Sequence, residues 1–399
     1  MYSPPLPEDL QYQSSWEYRC DLLKQRLKLI GADVVCFQEV SPNTFEQDFE
    51  FMHELGYDGV ELFKKGRFRP ATFWRKSHCD LAAPAVHKDR SLLTSFRLVD
   101  RPSNTPAKNW YVLNCHLQAG RQAQRRVRQI NEGVRGVMTL ARKLNEVKPE
   151  ESLRLVVCGD FNGGQECGAV QYLEQGFIDE TWIEDGDPVS SGRKEMPLAK
   201  PMIDVTTSVE DRAPPPTLVV PELISSMMAV GTDDSPELSQ DMVERLGRIH
   251  ANLSSDNINM SYEDVERWLV LINKQVGRGD EYREAARQMG WKDPNPKTSF
   301  ENQKARIELP KAGVLSLEGF VEVYRKELRA GKFWGVAHDM AVLGDPLPDI
   351  GVFTGRYDRM YHSQSITPTA VLDTTSEVAC PNANEPSDHL PVAASFKAL

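Results

Sequence analysis

Long apolar runs are missing from this 399-residue chain: no stretch approaches the roughly 20 consecutive apolar residues a membrane helix needs. The opening Met1-Tyr2-Ser3-Pro4-Pro5 has neither a basic cluster nor an apolar core, so no secretory leader is expected there. Paired cysteine motifs are also missing. The chain has 7 cysteines, an odd number, and none stand as Cys-x-x-Cys, which argues against a disulfide framework and against thiolate zinc sites. Several lie inside apolar runs, so reduced core thiols and a cytosolic or nuclear compartment are expected. Positive charge is in deficit, with a net charge of −11. That argues against a general duplex-DNA binder, which presents a strong basic surface. It leaves room for an RNA or nucleotide substrate, because a local basic patch and a bound metal attract phosphate on an acidic protein. No adaptor-binding repeat is visible. The remaining composition, 40% hydrophobic and 26% charged, suits a globular protein of one large domain or two ordinary ones.

The most informative stretch is Leu155-Val156-Val157-Cys158-Gly159-Asp160-Phe161-Asn162-Gly163-Gly164. It starts as an apolar strand and ends in polar residues and glycines. Side chains two apart on a strand share a face, so Asp160 and Asn162 can meet one cavity while Phe161 turns into the core. An ordinary Asp-x-Asn turn is the plainer reading. Other apolar runs end in the same way. Asp33 to Val40 carries Glu39 at its end, Trp110 to Cys115 runs into His116, and the strand candidate 355–363 carries Asp358. The last strand, 392–396, follows Asp388 and His389. Five coincidences of one chemical kind point to one site. Carboxylates suit Mg²⁺ or Mn²⁺, histidines suit phosphoryl contacts or shared protons, and together they suit metal-assisted attack of water on a phosphate ester.

Between these strands the pattern predicts a helix after residues 14–17, which have capping-box spacing, ending at Gly31. It also predicts a helix from Ser41-Pro42 to Gly56, short strands at 58–63, 71–75 and 91–98, and a long helix over 121–145. The arginines of that long helix, Arg121, Arg125, Arg126 and Arg128, read as a solvated face, with phosphate steering as the alternative. Residues 185–221, with Pro214-Pro215-Pro216, read as a linker or surface excursion. From 236 to about 335 the periodicity turns helical, as an inserted domain.

The ordered set VVCFQEV, LNCHL, VVCGDFN, RYDRMYHS and PSDHLPV resembles the motifs of the endonuclease/exonuclease/phosphatase superfamily. Trp16-Glu17-Tyr18-Arg19 and Arg69-Pro70-Ala71-Thr72-Phe73-Trp74 are similar to its nocturnin and Angel branch, which includes mRNA deadenylases. The resemblance covers roughly 1–183 and 350–399. It implies an α+β, DNase I-like, two-layer β-sandwich of mixed sheets flanked by helices. It places the catalytic domain at 1–205 and 346–399, with the insert at 206–345. It implies Glu39 as the main metal ligand, with Asp388 also near the metal, and Asp160 as the group that positions or deprotonates water. Asn162 would hold Asp160 and the phosphate, and His389 would contact the scissile phosphate with Asp358 or Asp388 in support. His116 would bind a phosphate oxygen. The implied cofactor is Mg²⁺ or Mn²⁺, and the implied substrate is RNA, or else a sugar, lipid or small-nucleotide phosphate. The family's first strand, ending in Asn, is expected upstream of Met1, its absence here leaving a sheet edge unpaired. Tyr357-Asp358-Arg359 departs from the family's aliphatic-Asp-Tyr pattern.

The insert resembles the EF-hand domain of plant and algal calcium-binding members of the superfamily. Met260 and Leu315 fall on the central aliphatic positions of two loops. The oxygen ligands are sparse: Leu253 and Ile258 stand where Asp and Gly belong in the first loop. Gly319 closes the second, after Glu308, Pro310 and Ala312 at its first three ligand positions. Calcium binding, a docked protein partner, or a calcium-responsive binding role in place of catalysis are the readings this leaves open.

Overall fold

Three strand ends meet at one register in the computed structural model of the chain. The structure describes residues 15–62, 69–99, 108–184, 186–209, 213–230, 236–277, 279–292, 307–348 and 350–399. The capping residue expected at Ser14 lies outside them. Two units divide the chain, one of residues 13–220 with 353–399, the other containing 221–352.

The first unit begins with helix α1 (Trp16–Ile30), capped by Ser15, whose hydroxyl accepts from Tyr18 N, and closed by Gly31 in the left-handed region. Then follow β1 (Val34–Val40), β2 (Gly59–Leu62), β3 (Arg69–Trp74), β4 (Cys79–Lys88), β5 (Ser91–Leu98) and β6 (Trp110–His116). Helix α2 (Ala123–Lys143) crosses to β7 (Arg154–Asp160), and α3 (Gly168–Gln175) follows. Next come β8 (Ile203–Asp204), β9 (Leu218–Pro221), β10 (Val352–Gly355), β11 (Asp358–His362), β12 (Ile366–Val371) and β13 (Ala394–Ala398).

One layer is a six-stranded sheet in the order β8-β11-β7-β6-β5-β4. Its β6–β7 pair is parallel, as the α2 crossover requires, and the other pairs are antiparallel. Odd and even positions along the strands serve different faces. Tyr111, Leu113, Leu155 and Val157 pack against Val127, Ile130, Val134 and Val137 of α2. Each of those four α2 side chains is fully buried, worth about 1.5–3 kcal/mol apiece. The opposite face carries Val112, Val156, Cys158 and Met360, which join Cys36, Ile366 and Phe396 of the second layer. That layer is two separate sheets, β1-β3-β2 and β12–β13. Among the described residues β1 pairs only with β3, and β13 only with β12.

Several expectations change. The stretch 41–56 is two short helical turns, Phe45–Asp48 and Phe51–Glu54, because Phe45 and Phe49 both stack on Phe73, at 5.7 and 5.6 Å. β4 goes unread in the sequence: Pro84 and its alanines hide it, and it survives as an edge strand with bulges, where proline is tolerated. Residues 186–209 and 213–221 are not a loose excursion. Val189, Met196 and Met202 enter the main core, and Asp204 is buried on Arg356, at 2.7 and 2.8 Å. The unit that holds the helices spans 221–352. Arg126 is buried rather than solvated. It donates to Gln118 O at 3.0 Å, pairs with Glu184, and so pins the loop after His116.

The second unit packs α4 (Gln240–Leu253), α5 (Tyr262–Asn273), α6 (Asp280–Gln288), α7 (Leu317–Arg329) and α8 (Phe333–Val342) around Trp268 and Phe320. The last of these extends past the point, about 335, where the sequence pattern ends the helical block. Two helix–loop–helix pairs meet at an antiparallel bridge between Met260 and Leu315, with N–H···O bonds of 3.0 and 2.9 Å. The calcium ligands do not fit. Asp264 spends both oxygens on Ser255, on Ser261 and on the Arg267 guanidinium at 2.7 Å. Asp256 accepts from the amides of Ile258 and Asn259, and Gly319 leaves the second loop without a closing acid.

Candidate active site

The pairing register builds the site. His116 stands directly opposite Asp160 across the β6–β7 pair, and Asp160 directly opposite Asp358 across β7–β11. Three polar residues of adjacent strands thus form one row on the face that meets the second layer. Gly159 makes the row possible. Its φ is +126°, and a Cβ there would lie 2.0 Å from Cys115 O, so the β6 backbone can approach only a glycine.

Glu39 reaches the row from the opposing layer. A register shift between Phe37 and Val40 and a φ of +56° at Glu39 turn its side chain out of the β1 ladder. Glu39 Oε1 lies 3.8 Å from His116 Nε2, which is itself 3.8 Å from Asp160 Oδ2. His389 arrives from the loop before β13. That loop is bridged to β9, with Leu390 N to Thr217 O at 2.6 Å and Val219 N to Asp388 O at 3.2 Å. Helix α1 holds the loop from its other side. Tyr18 donates its hydroxyl to Ala383 O at 2.8 Å, Arg19 donates to Pro386 O, and Arg26 pairs with Glu385.

Within the row, Asn162 serves Asp160. Its backbone N–H donates to Asp160 Oδ1 at 2.7 Å and its amide to Oδ2 at 2.8 Å, while the same amide reaches Leu117 O at 3.0 Å. His389 Nδ1 lies 2.6 Å from Asp358 Oδ2. One ligand atom from each of Asp160, Asp358 and His389 falls within 4.8 Å of the others. Asp388 is coupled electrostatically to Glu39 and His389. Glu39, His116, Asp160, Asn162, Asp358 and His389 therefore meet at one rim, with Asp388 next to His389 in the chain.

Crowded carboxylates leave their mark on proton affinity. Burial, then the charge of Asp358, pushes the Asp160 carboxyl up to about 7. Burial and then Asp388 raise Glu39. Burial alone would lower the His389 imidazole, but Asp358 overrides it and carries it to about 10. Four acids against one imidazolium is a donor set with unspent negative charge and oxygen ligands, which fits a hard divalent cation.

The sequence does not single out the polar contact beneath this rim. Asn114, fully buried, donates from its amide to Ala71 O at 2.9 Å and Phe37 O at 3.2 Å, and accepts from Gln38 Nε2 at 2.8 Å. It stitches β6 to β1 and β3 two residues from His116 and from Glu39's bulge. An asparagine inside the run Trp110 to Cys115 is its one signal in the sequence.

No family model matches the chain. It is 26% identical over 219 residues to the CCR4-Not complex 3'-5'-exoribonuclease subunit Ccr4 of Schizosaccharomyces pombe, covering 42% of this chain and 31% of that protein. The chain thus spans under a third of this curated relative. Among solved structures, the human Nocturnin catalytic domain superposes with a TM-score of 0.42 at 13% identity, over 96% of this chain and 88% of that one. ANGEL2, a 2',3'-cyclic phosphatase, in complex with adenosine-2',3'-vanadate, gives 0.46 at 15% identity, over 98% and 88%. The sequence likeness to part of an exoribonuclease subunit thus stands beside the motif order.

Proposed function

We propose that this chain is a divalent-metal-dependent phosphodiesterase acting on RNA, in the manner of a 3' exonuclease or deadenylase. The observation that carries the reading is the row His116–Asp160–Asp358 in one register, closed by Glu39 from one side and His389 from the other. The 26% identity to part of an exoribonuclease subunit over 219 residues supports it.

Glu39 and Asp388 hold Mg²⁺ or Mn²⁺ in this reading. Such an ion, when bound there, would supply Lewis acidity and lower the pKa of water. Asp160, fixed by two hydrogen bonds from Asn162, takes the proton of the attacking water. His389, kept protonated by Asp358, donates a hydrogen bond to a non-bridging oxygen while the new P–O bond forms and the ester P–O bond breaks, and the leaving alkoxide takes its proton from solvent. His116 contacts a further phosphate oxygen. Seven free cysteines, five of them buried, support a reducing compartment, cytoplasmic or nuclear. No described helix is long and apolar enough to cross a membrane.

The test is incubation of the full chain with labelled poly(A), mixed-sequence RNA and inositol phosphates, with Mg²⁺ or with EDTA. Wild type, Glu39→Ala and Asp160→Asn are compared. RNA cleavage abolished by EDTA and reduced about 10²–10⁴-fold in Asp160→Asn is expected. Cleavage of inositol phosphates but not RNA moves the substrate elsewhere. Turnover unaffected by either substitution ends the reading.

A further inference from the structure

Positive charge sits beside this acidic rim and is not used by the reacting row. β4 and β5 turn at Asp89-Arg90, where Arg90 takes a φ of +61°. Its carbonyl accepts the His116 N–H at 2.9 Å, which presses the hairpin tip onto the end of β6. Its half-buried guanidinium reaches Gln118 Oε1, a long bond at 3.3 Å, two residues past His116. Gln118 N donates to Gln129 Oε1 at 2.9 Å, and Gln129 donates to Asp89 Oδ2 at 3.0 Å. Hairpin tip, loop and α2 are thereby clamped into one wall of the site.

Arginines crowd that wall. Arg125 and Arg128 share the single carboxylate of Asp89, at 3.6 and 3.9 Å. Burial, and after it the guanidinium of Arg69, weakens the hold of Arg90 on its proton. Asp89 opposes this, Arg125 adds to it, and Glu39 opposes it. Three carboxylates, Asp89, Glu132 and Glu39, thus face this cluster of guanidinium groups, and one of them, Glu39, is assigned to the metal. Half-exposed pairs of this kind contribute little to stability, so ion pairing does not account for the cluster. Guanidinium forks match phosphate oxygens two at a time.

We propose that Arg90, with Arg125, holds a second phosphate of the substrate, next along the chain from the one attacked at Asp160, so that the site selects strands over single phosphate esters. This rests on the hydrolase reading above. The shared chemistry is a neighbouring phosphate, supplied either by a nucleic-acid backbone or by the terminal polyphosphate of a nucleotide, and the backbone is the occupant proposed.

The experiment compares wild type, Arg90→Gln and Arg125→Gln on an oligoribonucleotide of about ten residues and on a dinucleoside monophosphate, across a salt series. Arg125 lies on the exposed face of α2, so its variant tests the wall even if Arg90→Gln folds poorly. Expected is a rise in KM of about tenfold on the oligonucleotide, with a several-fold smaller change on the dinucleotide. The slope of log KM against log salt should shrink by about 0.7 for each phosphate that an arginine no longer neutralises. Equal losses on both substrates, or an unchanged salt slope, overturn the proposal. A nucleoside triphosphate that competes as well as the oligonucleotide places the polyphosphate there and overturns the strand. If no diester is cleaved at all, fluorescence anisotropy of the labelled oligonucleotide in EDTA still decides. Salt-dependent binding weakened in Arg90→Gln upholds the wall, and binding indifferent to the substitution removes it.

Discussion

Replacing Asn114 by alanine should open the seam between the two layers. Three hydrogen bonds of ordinary length disappear, at 2.8, 2.9 and 3.2 Å, from a side chain with no solvent exposure. At about 1 kcal/mol net for each, the cost is about 3 kcal/mol. Gln38 is left with its amide facing the gap, which works in the same direction. A loss of about 3 kcal/mol is a factor of about 100 in a local opening constant. Hydrogen exchange read by mass spectrometry should therefore show β1 and β3 amides about a hundredfold less protected. The helices of the second unit serve as an internal reference. Bulk fluorescence is a poor choice, because tryptophans occur in both units and the chain need not unfold in one step. Glu39 lies two residues beyond Phe37, so activity should fall as well. The sharper test is a cycle with Gln38→Leu and Asn114→Leu. Removing both partners together should cost clearly less than the sum of the single changes, since no polar group is then stranded. Protection in β1 within about threefold of wild type, or strict additivity in the cycle, would refute the role given to Asn114.

Two further outcomes concern the helical unit. Asp339 is buried beside Tyr324, whose hydroxyl donates to it at 3.3 Å, and burial followed by the charge of Glu281 carries its carboxyl to about 8. The folded unit then holds a proton that the unfolded chain releases near pH 4, so stability falls as pH rises from about 4 to 8, by about 1.4 kcal/mol per unit at most, and levels off above. Asp339→Asn should flatten this dependence and raise the melting temperature at pH 8; parallel pH profiles for the two proteins would sink the argument. Calcium at millimolar concentration should give no saturable heat in calorimetry of the full chain, because Asp264 is already committed to Arg267 and two serines. A stoichiometric heat with altered exchange in α5 would show that those bonds give way.

Much of the rim is legible in the sequence because most of its residues sit at one end of an apolar run. Glu39, His116, Asp160 and the Asp388-His389 pair interrupt patterns that one chemistry joins. What stays hidden depends on pairing at a distance. Asn114 and Gln38 look like ordinary strand residues until β6 lies over β1, 76 positions away in sequence. The common register of His116, Asp160 and Asp358 is a property of the sheet, and no local spacing encodes it. Arg126 looks solvated by helical periodicity, yet the Glu184 carboxylate meets it in the core. Proline-rich composition makes 185–221 look like a linker, but Val189, Met196 and Met202 enter a core already formed by α2 and α3.

The reacting groups are anchored by two means of unequal firmness. Asp160 and His116 sit on central strands, hydrogen-bonded on both sides, whereas His389 depends on a loop that α1 latches through Tyr18, Arg19 and Arg26. Release of that latch withdraws the imidazole while the sheet stays intact. Warming should therefore silence the protein well before it melts, and the dormant form would keep its secondary structure and recover on cooling.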